Sequence, residues 1–147
     1  MILLCRRSML ALAAVADIAI HARPQPVAAK TLAGRLDLPP RHLETLLQAL
    51  VRAEILKGVR GPRGGYELAR ERRRISAAEV VRAVMSEDAG AAKNESQFIA
   101  NVISPIIEQA SQAFLAELDL VSIDDICRQA GEKKIFLDES VKPDFTI

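Results

Sequence analysis

Between Pro39 and Leu68 the apolar residues fall into two different periods. Leu43, Leu46, Leu47, Leu50 and Val51 recur at helical spacing, so the first half predicts an amphipathic helix with one apolar stripe. Pro40 suits the first helical position, where its missing N–H has no partner to lose. Arg41, His42, Glu44, Thr45, Gln48 and Arg52 form the opposite, polar face. Two short strand-like runs follow, Ile55 to Arg60 and Tyr66 to Leu68, flanking the tip Gly61-Pro62-Arg63-Gly64-Gly65. That pattern predicts a hairpin. A glycine-rich phosphate loop would run from a strand into a helix, whereas Tyr66-Glu67-Leu68 reads as a returning strand. A helix with a polar outer face followed by an arginine-tipped hairpin is a winged-helix arrangement, able to place the helix in a DNA major groove and the tip in a minor groove.

Upstream, residues 5–22 are so rich in Ala and Leu that a helix there should be buried on most sides. Arg6-Arg7 followed by Met9 to Ala16 imitates a secretory signal, but Asp17 interrupts the apolar run, which is too short to span a membrane. Arg23-Pro24-Gln25-Pro26 breaks the helix. Val27 to Leu36 reads as a second helix with Ala28, Leu32, Ala33 and Leu36 inward and Lys30, Thr31 and Arg35 outward. With the turn Asp37-Leu38-Pro39 and the helix after it, a helix-turn-helix results.

Downstream, the basic run Arg70 to Arg74 reads either as further phosphate contacts or as a solvated face. Ser76-Ala77-Ala78-Glu79 is a capping box opening a helix through Met85, and residues 86–97 read as a loop. Ser104-Pro105 predicts the start of a long helix carrying Ile106, Ile107, Ala110, Phe114, Leu118 and Val121, with Phe98, Val102 and Ile103 extending its apolar surface. Ser122-Ile123-Asp124-Asp125 is a second capping box, starting a short helix to Ala130 that Gly131 ends. The tail, 132–147, has no pattern.

At 147 residues this is one domain, or one with an appended helix. Four Phe, one Tyr and no Trp leave little for stacking on single-stranded nucleic acid. The net charge of +1 conceals a division: residues 1–75 hold 14 Lys/Arg and 6 Asp/Glu, a net +8, and residues 76–147 hold 6 and 13, a net −7. A cationic front suits a polyanion. Cys5 and Cys127 are too few for a disulfide scaffold, which makes the cytoplasm the natural compartment. Cys127 reads as a buried structural thiol; redox sensing would need an accessible, electropositive setting. His42 has no partner at metal-ligand spacing, and no nucleophile–base pair or ligand cluster points to an enzyme.

The segment GVRGPRGGYEL resembles the wing of the Rrf-type family of bacterial transcriptional regulators, which includes IscR, NsrR and CymR, and LPPRHLETLLQALVRAEIL resembles their recognition helix. The resemblance runs from the first helix to about Ala130. It implies a mainly α fold with a small β-hairpin wing: a winged helix-turn-helix over 1–85, a loop over 86–100, a dimerisation helix and short packing helix over 101–131, and the tail. It further implies a homodimer on palindromic double-stranded DNA, with recognition helices in successive major grooves.

In that picture Arg6, Arg7, Lys30 and Thr31 lie towards the DNA backbone, with Lys57, Arg60 and the basic run adding salt-dependent affinity. Arg41, His42, Glu44, Thr45 and Gln48 face base edges, where Arg pairs with guanine and Glu accepts from cytosine; the family's specificity-setting acid falls on Glu44. Gly61, Pro62, Arg63 and Gly64 present the wing tip. Ile103, Ile106, Ile107, Ala110, Phe114 and Leu118 would pack on the two-fold mate. Iron–sulfur members carry Cys-x5-Cys-x5-Cys, and those positions are Ala89, Glu95 and Asn101 here, none a thiolate, so no cofactor is expected. The expected function is a repressor responding to an unknown effector. The alternatives are a winged-helix protein-interaction module without DNA, and an iron–sulfur or redox sensor with atypical ligands.

Overall fold

The computed structural model describes residues 5–85 and 96–135. Six helices and one hairpin follow in chain order: α1 (Arg6–His21), α2 (Ala29–Leu36), α3 (Pro40–Arg52), β1 (Leu56–Val59), β2 (Gly65–Leu68), α4 (Ala77–Met85), α5 (Ser104–Asp119) and α6 (Ile123–Glu132). A single 3-10 turn, Arg72–Arg74, precedes α4. Among the described residues no helix is long and apolar enough to cross a membrane.

The expected helix-turn-helix and wing are present. Helix α1 lies at the centre, packed against α2, α4, α6 and β2. Its Ala11, Ala14, Val15 and Ile18 are buried, as are Leu43, Leu46, Leu47 and Leu50 of α3. Val51, expected on the inward stripe, is 36% exposed.

Two expectations about α2 are overturned. The helix begins at Ala29, and Val27 instead pairs in extended form with Tyr66: each amide donates to the other's carbonyl, at 2.9 and 2.8 Å. Val27 thus lends the two-stranded hairpin a third, one-residue edge. The close approach explains Gly65, where a Cβ would come within 2.3 Å of the Val27 carbonyl oxygen. Second, Arg35 does not face out. Its Nε donates to Asp17 Oδ2 at 2.9 Å and its Nη2 to Asp17 Oδ1 at 2.7 Å, a two-pronged clamp on a fully buried carboxylate. His21 Nδ1 donates to the Asp17 carbonyl (2.9 Å) and lies 3.2 Å from Oδ1. A buried carboxylate is costly without such partners, so Asp17 dictates where α2 sits on α1.

Both capping boxes form. Ser76 Oγ accepts from the Glu79 amide (3.1 Å) and the Glu79 carboxylate accepts from the Ser76 amide (2.9 Å); Ser122 and Asp125 do the same at 3.0 and 2.9 Å. The two boxes also face one another, because Ser76 and Ser122 form an antiparallel bridge, Ala77 N donating to Val121 O and Ile123 N to Ile75 O. Burial pushes the Glu79 carboxyl upward, but the Ser76 amide and Arg70 outweigh it and hold it below its ordinary value. Hydrogen bonds from Arg82 and Ser76 likewise hold Asp119 low, tying the end of α5 to α4.

The long helix starts earlier than Ser104-Pro105 suggests. Residues 97–103 are already helical, with a π-helical turn over Ile99–Ile103, so the expected loop through residue 100 ends sooner. Pro105 has no N–H to donate to the carbonyl four residues back, and its ring crowds that carbonyl; the widened turn lies where this strain falls. Helix α6 continues past Gly131 to Glu132, since nothing about Gly131 forces a left-handed exit, and Lys134 (φ 54°) takes that conformation instead. Residues 86–95 and 136–147, including Ala89, Glu95 and most of the tail, lie outside the described residues.

Replacing Asp17 by Asn leaves the Arg35 guanidinium without its counter-charge in the core, and should cost about 3–5 kcal/mol of unfolding free energy. Urea denaturation of the two proteins measures this, and an unchanged midpoint would remove the clamp from its structural role.

Candidate nucleic-acid interface

The polar face of α3 is fully presented. Arg41, His42, Glu44, Thr45 and Gln48 are all exposed, while the leucines between them are buried. Two features aim the helix: Pro40 at its first position, and Asp37 in left-handed conformation (φ 52°), which ends α2 and turns the chain. Thr45 Oγ1 donates to the Arg41 carbonyl at 3.4 Å, a weak local bond that leaves the hydroxyl's acceptor sites outward. Lys30 and Thr31 are exposed at the start of α2, and Arg6 is exposed in the first turn of α1; Arg7 beside it is half-buried.

The wing tip is shaped by its glycines. Gly61 has φ +116°, a region side chains rarely enter, and a Cβ on Gly64 would lie 2.2 Å from the Val59 carbonyl oxygen. Between them the tip closes with a Gly64 N–H to Gly61 O bond of 2.9 Å, leaving Arg60, Pro62 and Arg63 exposed. Among the described residues neither Arg41, Arg60 nor Arg63 forms an ion pair.

The other cations differ. Lys57, expected to contact phosphate, pairs across the hairpin with Glu67 at 3.1 Å. Part of the basic run is engaged within the chain, while Arg73 and Arg74 stay largely exposed. Arg70 reaches Glu79 of α4 (3.0 Å) and the Glu54 carbonyl (3.3 Å), Arg72 reaches Asp124 of α6 (2.7 Å), and Arg74 faces Glu71 (3.8 Å). Arg70 and Arg72 fasten the exit of the wing to the helices behind it. Meanwhile Arg23 and Gln25, which sequence reasoning passed over as a mere break, line an open groove of about 530 Å³ together with Thr31, Pro62 and Arg63. No periodicity marks them; the only signal was an arginine in the linker leading to the wing's third edge.

For an iron–sulfur cluster the residues present do not fit. Alanine at 89 offers no donor atom, and Asn101 is an exposed carboxamide on the π-helical turn. Of the two thiols, Cys5 is exposed at the start of α1, while Cys127 is half-buried, Sγ 3.9 Å from the Ala16 carbonyl, its pKa raised by burial. Among the described residues no three His, Cys, Asp or Glu gather as metal ligands.

The fold and this surface define a winged helix-turn-helix protein. A family profile described as "Rrf2: Iron-dependent Transcriptional regulator" matches residues 4–129, and the chain belongs to that family. A putative HTH-type transcriptional regulator, ORF2 of Azotobacter vinelandii, is 39% identical over 74 residues, covering 50% of this chain and 45% of that protein. The Rrf2 protein of Nitratidesulfovibrio vulgaris is 28% identical over 120 residues, covering 78% and 80%. The chain spans about half the length of the first curated relatives it matches. Among solved structures, T. potens IscR superposes with a TM-score of 0.71 at 28% identity, over 90% of this chain and 91% of that one.

Arg63→Ala removes an exposed guanidinium that packs on nothing in the core. It should weaken binding to a preferred genomic fragment by about 1–3 kcal/mol and move unfolding by less than about 0.5 kcal/mol. Gel shift and thermal melting together decide this; equal affinity would take the wing tip out of the interface.

Proposed function

We propose that this protein is a sequence-specific DNA-binding transcriptional regulator, acting as a homodimer on a palindromic operator and repressing by occupying the promoter. The observation that carries the reading is the sorting of cations. Arg41 on α3 and Arg60 and Arg63 at the wing tip have no carboxylate partner among the described residues, whereas Arg70 and Arg72 behind the wing are paired with Glu79 and Asp124. Arg41, His42, Glu44, Thr45 and Gln48 supply base contacts, Arg63 and Arg60 enter the flanking minor groove, and Arg6, Lys30 and Thr31 hold phosphates. No catalytic or cofactor role is assigned, and the protein acts in the cytoplasm.

The dimer is favoured by the helix running from residue 97 through α5. No residue of α5 is buried, and Phe98 (64% exposed), Val102, Ile103, Ile106 (58%) and Ile107 form a contiguous apolar face. Such a helix has little reason to stay folded in water without a partner. Ala110 is exposed like this face, while Phe114 and Leu118 are half-buried, so the partner contact centres on the N-terminal half of the helix.

Three experiments test this. Gel shifts of the full chain against genomic fragments, at two salt concentrations, should show one fragment outcompeting bulk DNA and affinity falling steeply with salt; sequence-blind, weak association would favour a protein-interaction module instead. Ile106→Glu with Ile107→Glu should convert a dimer to monomer in light scattering and abolish operator binding, while a wild-type monomer would sink the dimer. An anaerobically purified sample should be colourless and free of iron and sulfide, and a brown preparation would restore the sensor with atypical ligands.

A further inference from the structure

A second groove, of about 800 Å³, runs between the C-terminal end of α1, the linker after it, and the outer side of β2 with the turn that follows. Its size is that of a small-molecule site. Ala19, Ala22, Pro24 and Leu68 contribute apolar surface to a largely polar lining, which also holds the cations Arg23, Lys57, Arg70, Arg72 and Arg73 and the acids Glu67 and Glu71.

The cations are unevenly neutralised. Glu67 on the wall is matched by Lys57 at 3.1 Å, and Glu71 faces Arg74 at 3.8 Å. Arg70 and Arg72 hold Glu79 and Asp124 at 3.0 and 2.7 Å. Arg73 keeps only a long 3.8 Å approach to Asp124 and is 82% exposed, while Arg23 has no ion-pair partner among the described residues. Two poorly matched guanidiniums therefore line the same groove as Ala19, Ala22 and Leu68. Inorganic phosphate would leave the apolar part of the lining unused.

We propose that this groove binds a small organic anion: a monocarboxylate whose head lies on Arg23 and Arg73 and whose short apolar body covers Ala19, Ala22 and Leu68. Because Arg72 and Arg73 share Asp124 in the first turn of α6, the bound carboxylate competes with Asp124 and loosens the tie between the wing's exit and the helices behind it. The binding stands without the regulator reading; only its effect on operator affinity rests on it.

Titration calorimetry of the full chain, without DNA, with acetate, butanoate and hexanoate tests the site. Butanoate and hexanoate should saturate it with Kd at or below about 1 mM, and affinity should rise about fourfold per added methylene. Arg73→Glu and Arg23→Glu, with circular dichroism melts confirming the fold, should each lower affinity at least tenfold. Inorganic phosphate should not compete. No saturation by any of the three acids, a flat series, wild-type affinity in both variants, or equal competition by phosphate would each overturn the proposal. The readout involves no DNA, so its failure is separable from that of the regulator reading.

Discussion

A carboxylate with no exposure at all, Asp17, lies in the middle of the helix on which α2, α3, α4, α6 and β2 pack. Its burial is tolerable only because Arg35 arrives from α2 in bidentate geometry and His21 from one turn along α1. The consequence is positional. Helix α2 cannot slide or rotate on α1 without uncovering a charge in the core, and α3 follows α2 after only three residues. An apolar contact would have tolerated small slips that a directional ion pair does not. The orientation of the polar face of α3 is therefore set two helices away from the residues that use it.

On the side facing α2 the wing is held through its backbone. The two hydrogen bonds between Val27 and Tyr66 fasten the hairpin to the strand-like edge leading into α2, and Gly65 permits the approach. So α2, and through it α3, shares its origin with the hairpin: the same few residues position both. On the far side Arg70 and Arg72, with the paired capping serines Ser76 and Ser122, join the wing's exit to α4 and α6.

What the sequence made legible was whatever depends on period or on local chemistry. The α3 stripe, the hairpin with its glycine tip, and both capping boxes lie where spacing and residue type put them, because each is decided within a few residues. What it hid depends on partners distant along the chain. Arg35 looked outward on a helical wheel, and only the buried Asp17, 18 residues earlier, draws it in. A polar residue amid Ala14, Val15 and Ile18 was itself a clue, since a buried charge demands a counter-charge. The arginines after the wing could not be sorted for the same reason: their carboxylates stand on α4 and α6. The early start of the long helix was masked by Ser104-Pro105, which imitates a cap but here lies beyond a π-helical turn that absorbs the proline.

Two chemically opposite surfaces stand out among the described residues: Arg41 on α3 with Arg60 and Arg63 on the wing, and a run of exposed isoleucines with Phe98 ahead of and along α5. Neither is explained by folding, because neither lowers the free energy of the single chain. The first is a field for a polyanion and the second a patch for apolar contact. They sit on one framework joined through α4 and α6, so pairing two chains through the apolar patch would also fix the separation of their cationic faces. On the proposed reading that separation must match the helical repeat of DNA, and the ion pairs around Arg72 and Asp124 are where it could be adjusted.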